Sequence, residues 1–267
     1  MTDTLEFPDA CTGRILALEG AHNFRRIEGW RTADGRSVAA GRLYRASSLH
    51  ALTDADLDAL APLRIAHVVD LRSRMERGAF PSRRAAAAAT VWTGAEGSAN
   101  ADLTRMMRLD NVGLDDFRGA MRKVYADFTD DLAEALSSLF SILMAVEDES
   151  AVLIHCAAGK DRTGFVTAML LRALGVVEAE VRADYLLTNA TYERAFAAFA
   201  GDHGLAELEA AVPGAAGAML GAHAEYLASA DEALLRRWGS FDRYLAAACG
   251  LDEGGRAHLR DRFLDDT

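Results

Sequence analysis

Short β-branched or apolar runs alternating with helical patterns up to residue 176, and only helical patterns after it, predict an α/β fold. The expected architecture is a mostly parallel central sheet flanked by helices, with extra C-terminal helices. The strand candidates are residues 14–18, 43–46, 65–70, 90–93 and 151–155. Thr53 followed three residues later by Asp56 reads as a helix N-cap with an acidic first turn, leading into Leu57, Leu60 and Leu63. Leu132, Leu136, Leu139, Phe140 and Leu143 fall at i, i+4, i+7, i+8 and i+11, one stripe of a helix beginning near Asp130. The stretch from Gly164 to Leu174 is apolar on nearly all sides and is followed by Gly175, which predicts a buried helix with a C-terminal glycine. Four prolines and no Ser/Gly-rich linker predict a single domain over residues 1–267, with 1–13 loose and a helical elaboration over roughly 189–222.

Apolar residues make up 51 % of the chain and the formal net charge is −11. The whole-molecule field therefore repels nucleic acid and anionic lipid surfaces, and an anionic ligand must be captured by a local cluster. Lys123 and Lys160 are the only lysines among 29 basic residues. Cys11, Cys156 and Cys249 are too few and too scattered for a disulfide framework or a zinc site, which predicts a reducing compartment. The N-terminus has neither the basic start nor the apolar run of a secretory signal. Ser141 and Arg172 break the longest apolar stretches well short of the roughly 18 residues of a membrane span. The expectation is a cytoplasmic protein with no nucleic-acid partner and no stable membrane insertion, signal-free secretion staying open.

The apolar run 151–155 leads directly into Cys156-Ala157-Ala158-Gly159-Lys160-Asp161-Arg162-Thr163-Gly164 and then the buried helix. Strand, tight loop and helix form an anion cradle. Loop amides and the helix N-terminus face one point, and the small residues Ala157, Ala158 and Gly159 let the backbone approach a ligand. Arg162, six residues beyond the thiol, supplies a planar fork for two phosphate oxygens. An attacking thiolate needs stabilisation, of which a helix terminus gives only about 0.3–2 kcal/mol, so loop amides and Arg162 must supply the rest. Thr163 is placed to hydrogen-bond sulfur and improve it as a leaving group, and His155 to fix the loop rather than act as a base. Cys-x5-Arg alone is weak, but His before the Cys, Gly three after it and Thr after the Arg bring the chance expectation to roughly one in ten thousand. A nucleotide-binding Walker loop is excluded, because Ile154 stands where its first Gly belongs and Asp161 where its Ser/Thr belongs.

The HCAAGKDRTG run resembles the active loop of the Cys-based tyrosine phosphatase superfamily, and its Gly-Lys-Asp insert resembles a bacterial tyrosine phosphatase B-like branch. His22-Asn23-Phe24-Arg25, Tyr44-Arg45-Ala46-Ser47, Asp70-Leu71-Arg72-Ser73 with Glu76, Asp184-Tyr185-Leu186 with Asn189, and Gly239-Ser240-Phe241 with Tyr244 are similar to that branch and follow its order. The resemblance covers roughly residues 14–251. Arg26 departs from it, standing where an acidic residue is expected. The resemblance implies metal-independent chemistry on phosphotyrosine, phosphoserine/threonine or phosphoinositides without choosing among them. It also implies that the helices carrying Tyr192, Phe196 and Phe199 pack as a lid, ordinary core helices being the alternative.

Two carboxylates compete to protonate the leaving group. Asp70 ends a strand that a parallel sheet brings to the same C-terminal edge as Cys156, and it is the favoured acid; its competing reading is an ion pair with Arg72 or Arg45. Asp161 lies inside the loop and could instead orient Arg162 or the loop amides. Lys160 is a candidate contact for a second phosphate or a substrate carboxylate, or else a solvated loop lysine. Arg72 is a candidate for the phosphate-binding rim, whereas Arg74 more simply balances nearby acids, as do Arg25 and Arg45. Cys11 and Cys249 lack an Arg six residues on and read as bystanders. The sequence thus predicts a phosphomonoester hydrolase acting through a phosphocysteine on Cys156, with no metal or organic cofactor. Its substrate would be a phosphorylated protein or phosphoinositide, and phosphate or sulfate would occupy the loop. The rival reading is a catalytically silent phosphate-binding module.

Overall fold

The computed structural model describes residues 13–83, 88–93, 112–200 and 204–266, without the side chains of 199 and 200. Its strands are β1 (Arg25–Arg26), β2 (Ser37–Val38), β3 (Leu43–Ala46), β4 (Ile65–Asp70), β5 (Ala89–Trp92), β6 (Ala151–His155) and β7 (Leu264–Asp265). Five of them form a sheet in the order β1-β3-β6-β4-β5. The four from β3 to β5 run parallel, and β1 pairs antiparallel to β3 at the edge. β6 is buried along its whole length between β3 and β4, as expected of a central parallel strand covered on both faces.

Successive side chains of a strand point to opposite faces, and β6 divides its apolar residues accordingly. Val152 and Ile154 join Val69, Phe128, Leu136, Leu139, Phe165 and Met169 on one side. Ala151 and Leu153 join Phe24, Leu49, Leu52, Leu60 and Val68 on the other. The thicker side is made by α3 (Leu114–Asp131), α4 (Ala133–Ala145), α5 (Asp161–Leu174), α6 (Glu178–Leu186), α10 (Ala224–Trp238), α11 (Phe241–Cys249) and α12 (Glu253–Phe263). The thinner side carries α1 (Asp54–Leu60), whose Thr53 and Asp56 form a reciprocal cap. Beside the sheet edge lies α2 (Arg74–Ala79), and α7 (Tyr192–Ala200), α8 (Leu205–Ala211) and α9 (Ala215–Leu220) form the helical elaboration. Among the described residues no helix is long and apolar enough to cross a membrane.

Two expectations are corrected. Residues 14–18 make no strand: Ile15 forms only an isolated bridge to Arg25, and the ladder with β3 begins at Arg25. The chain after 176 is not wholly helical, since β7 pairs antiparallel with β2. Two-residue ladders leave no periodicity to read, and tertiary contact alone decides them. Cys11 and the stretch 1–12 lie outside the described residues.

Register places the site. Ala46 and Asp70 both stand opposite His155, so three parallel strands end level and release their loops at one edge. There Gly159 adopts φ +66, and a Cβ on it would stand 2.4 Å from the Ala46 carbonyl oxygen. Gly159→Ala combines a left-handed backbone with a backbone clash, so a loss of about 2 kcal/mol or more is expected, together with loss of phosphate binding. Thermal unfolding and phosphate titration check this; an alanine variant of wild-type stability would show that the loop sits differently.

Candidate active site

Between β6 and α5 the chain turns through the candidate loop, with Cys156 buried at its start. The Arg162 side chain reaches across to α2. Its Nη1 donates to Leu71 O at 3.1 Å and to Glu76 Oε2 at 2.7 Å, and its Nη2 donates to Glu76 Oε1 at 2.6 Å. A guanidinium has five N–H groups, and these bonds use both on Nη1 and one on Nη2. The Nε–H and the second Nη2–H have no partner among the described residues and lie side by side on one edge, an arrangement that receives two oxygens of a phosphoryl group. Burial alone would loosen the proton of Arg162, but Glu76 and the neighbouring Cys156 sulfur outweigh it and raise the guanidinium above its ordinary value. Cys156 and Arg162 therefore lie within each other's field. Burial would raise Glu76 as well, yet the hydrogen bonds and charge of Arg162 bring its carboxyl down to about 2. Glu76 is seated by its own helix: Ser73 N–H donates to Glu76 Oε2 at 2.7 Å, and Glu76 N–H donates to Ser73 Oγ.

The underside of the loop is held by buried cations. The Gly159 carbonyl accepts from Asn23 Nδ2 at 2.9 Å and from Arg45 Nη2 at 2.8 Å. Arg45 Nη1 donates to Asp184 Oδ2 at 2.6 Å, and Arg25 Nε donates to Asp184 Oδ1 at 3.1 Å. Burial and the adjacent Arg45 lower Arg25 to about 10, which leaves it a cation at neutral pH. Asp184 resists its burial through the two arginines, which hold it below the usual carboxylate range. Gly164 completes the fit, since a Cβ there would stand 2.9 Å from the Tyr185 ring. Ser48 N–H donates to the Ala157 carbonyl at 2.8 Å, so the loop is tied to the β3 edge as well.

Several expected roles change. Asp70 is buried in a two-pronged pair with Arg72, Nε to Oδ1 at 2.9 Å and Nη2 to Oδ2 at 2.7 Å. Burial would raise its carboxyl, but Arg72 and then the His155 charge lower it below the usual range. Both Asp70 oxygens are taken by Arg72 and the side chain is 1 % exposed, so no oxygen is open to a leaving group, which favours the ion pair, the competing reading, over the acid. Arg72 has no donor left for substrate, because its other N–H groups go to Ser48 Oγ, Ser82 Oγ and the Phe80 carbonyl. Lys160 is 1 % exposed, and its ammonium meets the Met219 carbonyl, the Gly221 carbonyl at 3.1 Å and Asp161 Oδ1 at 3.1 Å. Two hydrogen bonds and the ion pair to Asp161 hold the buried ammonium, so it is not the solvated loop lysine of the competing reading. The Thr163 hydroxyl is buried with no hydrogen-bond partner among the described residues, so the expected bond to sulfur is not formed. His155 lies 3.2 Å through Nδ1 from the Cys156 carbonyl, and burial lowers it to about 4, leaving a neutral ring.

Asp161 keeps 27 % of its side chain exposed at the loop and accepts from Tyr125 Oη at 2.9 Å. Tyr125 in turn lies 2.7 Å from the Tyr185 hydroxyl, and burial raises both phenols. Sequence reasoning missed Glu76, Tyr125 and Asp184 as partners of the loop. For Glu76 a signal existed, Ser73 followed three residues later by an acid, which is a capping box. For Tyr125, 31 residues before the thiol, none did.

A model of the tyrosine phosphatase family matches residues 16–265. A Cupriavidus necator chain named as a tyrosine-protein phosphatase is 34 % identical over 93 % of this chain and 88 % of its own length. The triple specificity protein phosphatase PtpB of Mycobacterium tuberculosis is 31 % identical over 94 % of this chain and 99 % of its own. Among solved structures, P. aeruginosa TpbA overlaps 59 % of this chain and 78 % of its own at 18 % identity, with a TM-score of 0.30, too low to carry an argument.

The Arg162–Glu76 pair has a signature in acid. Glu76 sits at about 2 against an ordinary 4.5, so its contribution to stability is full above pH 4.5 and is lost as pH falls through about 2. That shift corresponds to about 3 kcal/mol at most. Glu76→Gln should be less stable at pH 7 and should lose the wild-type slope below pH 4.5. Thermal melts along an acid series check this, and parallel profiles would contradict it.

Proposed function

The chain belongs to the tyrosine phosphatase family, and we propose that it hydrolyses phosphomonoesters of proteins, phosphotyrosine first, through a phosphocysteine on Cys156. One observation carries the reading: an arginine beside the thiol that keeps one two-donor edge free after Glu76 has taken the other. Loop amides at Ala157, Ala158 and Gly159, the start of α5 and the free edge of Arg162 bind the three phosphoryl oxygens. The Cys156 sulfur attacks phosphorus while the bond to the leaving oxygen breaks. Asp161, the half-buried carboxyl of the loop, gives that oxygen its proton. In the second half Asp161 takes a proton from water, whose oxygen attacks the phosphocysteine and releases phosphate and thiolate. The Thr163 hydroxyl, without a partner among the described residues, is assigned to bond sulfur as it leaves.

Residues 13–266 act as one catalytic unit in this reading, because one buried cluster runs from Ile27 to Leu264. Phosphoserine/threonine and phosphoinositides are the further substrate classes to test, the Mycobacterium tuberculosis relative being named a triple specificity protein phosphatase. A cytoplasmic location rests on the free thiols of Cys156 and Cys249.

Cys156→Ser should bind phosphate yet release none from an aryl phosphate; equal turnover in both proteins would refute the nucleophile and leave a binding module. Asp161→Asn should lose roughly 10²-fold or more on phenyl phosphate and far less on p-nitrophenyl phosphate, whose leaving group needs no proton. Asp70→Asn should instead lower activity on both alike, through lost stability. The reverse pattern between the two aspartates would restore Asp70 as the acid. A panel of phosphotyrosine, phosphoserine and phosphoinositide substrates orders the preferences.

A further inference from the structure

The end of α9 and the turn after it are bonded by side chains from three directions. The Gly217 carbonyl accepts from His223 Nε2 at 3.0 Å, the Ala218 carbonyl from Tyr226 Oη at 2.9 Å, and the Met219 and Gly221 carbonyls from Lys160 Nζ. Asn189 grips Ala222 on both sides, Nδ2 to its carbonyl at 2.9 Å and Oδ1 from its N–H at 2.7 Å. Of these donors only Lys160 belongs to the phosphate-binding loop. It replaces water at carbonyls where the helix dipole favours a cation. The same ammonium lies 3.1 Å from Asp161 Oδ1, the oxygen that also accepts from Tyr125.

We propose that Lys160 is a positioning residue: it joins the seated segment 217–222 to Asp161, so that the carboxyl is held in place only while that segment is docked on the loop. An ammonium that donates to two carbonyls and is ion-paired with a carboxylate is fixed, and Asp161 is fixed with it, between the Lys160 ammonium and the Tyr125 hydroxyl. When the segment lifts, both carbonyl acceptors leave, and the ammonium no longer has a fixed place from which to hold the carboxylate. Seating of the helical elaboration and proton delivery are then one event. The inference rests on Asp161 as the acid and assigns Lys160 no contact with the substrate.

Amide hydrogen exchange of 217–222 and steady-state kinetics test it together. In the wild type, adding inorganic phosphate should leave exchange at 217–222 unchanged or slower; faster exchange would mean that Lys160 leaves these carbonyls for the anion, and would overturn the proposal. Lys160→Met should speed exchange there by roughly tenfold or more. It should also lower kcat on phenyl phosphate by about tenfold more than on p-nitrophenyl phosphate, with little change in KM, since only the proton-dependent step loses support. Lys160→Arg should recover part of both. A raised KM with unchanged kcat and exchange would make Lys160 a substrate contact instead. Asn189→Ala loosens the same segment without touching the loop and should reproduce the leaving-group pattern; faster exchange with wild-type leaving-group dependence would break the coupling. Asp161→Asn run alongside separates the two failures: if it is leaving-group sensitive and Lys160→Met is not, the latch is wrong, and if it is insensitive, the acid assignment is wrong.

Discussion

A phosphate-binding loop must keep positive charge out of water while leaving part of it uncommitted. Removing a guanidinium from water costs several kcal/mol unless it is paired, and pairing it completely would leave nothing for the ligand. Arg162 meets both demands by dividing its edges: Glu76 and the Leu71 carbonyl take three N–H groups, and two remain together. The sheet makes this division possible. Leu71 N–H donates to the His155 carbonyl at 2.9 Å, which fixes the segment leaving β4 beside the segment leaving β6. Ser73 then starts α2 in the one place from which Glu76 reaches Arg162.

Beneath the loop the same problem is solved with a different balance. Arg25 and Arg45 are fully buried, and Asp184 is the carboxylate they share. Two cations against one anion leave a surplus positive charge in a region of low dielectric, where it acts on the loop more strongly than it would in water. The Gly159 carbonyl is where this charge meets the loop. A peptide oxygen turned toward a bound phosphate would repel it; held by Asn23 and Arg45, this one is turned toward them instead. Gly159 can adopt that orientation because its φ of +66 costs glycine little.

What the sequence made legible follows from how local each signal is. β4, β6 and α5 were readable because an apolar run of strand length, or a helix apolar on all sides, carries its own pattern. Cys156 and Arg162 were readable because one loop sets their spacing. The parallel register also brought Asp70 to the correct edge, level with His155. It could not tell which neighbour the carboxylate would meet there, and Arg72, two residues on, claimed it. Lys160 stood out as one of two lysines, but its partners are carbonyls about 60 residues away, and a carbonyl has no sequence signature. Arg14–Leu18 failed for the opposite reason. Its apolar residues suit a strand, yet the chain bends at 19–20 and turns at 22–23, and β1 takes the place at the sheet edge.

Counting donors separates the two cations that flank Asp161. Lys160 gives two N–H groups to carbonyls and pairs its charge with Asp161, whereas Arg162 has five N–H groups and makes three bonds among the described residues. Both side chains are positive and both lie beside the loop, so charge alone would give them the same role. Geometry does not: a spent cation can only hold protein to protein, and an unspent one can still hold a ligand. The same arithmetic sets Arg72, with all five N–H groups engaged, on the structural side with Lys160. It also explains why exchanging lysine and arginine at 160 and 162 would not preserve function even though it preserves net charge. An ammonium at 162 could not serve Glu76 and a phosphoryl group from two edges at once, because it has no edges to divide.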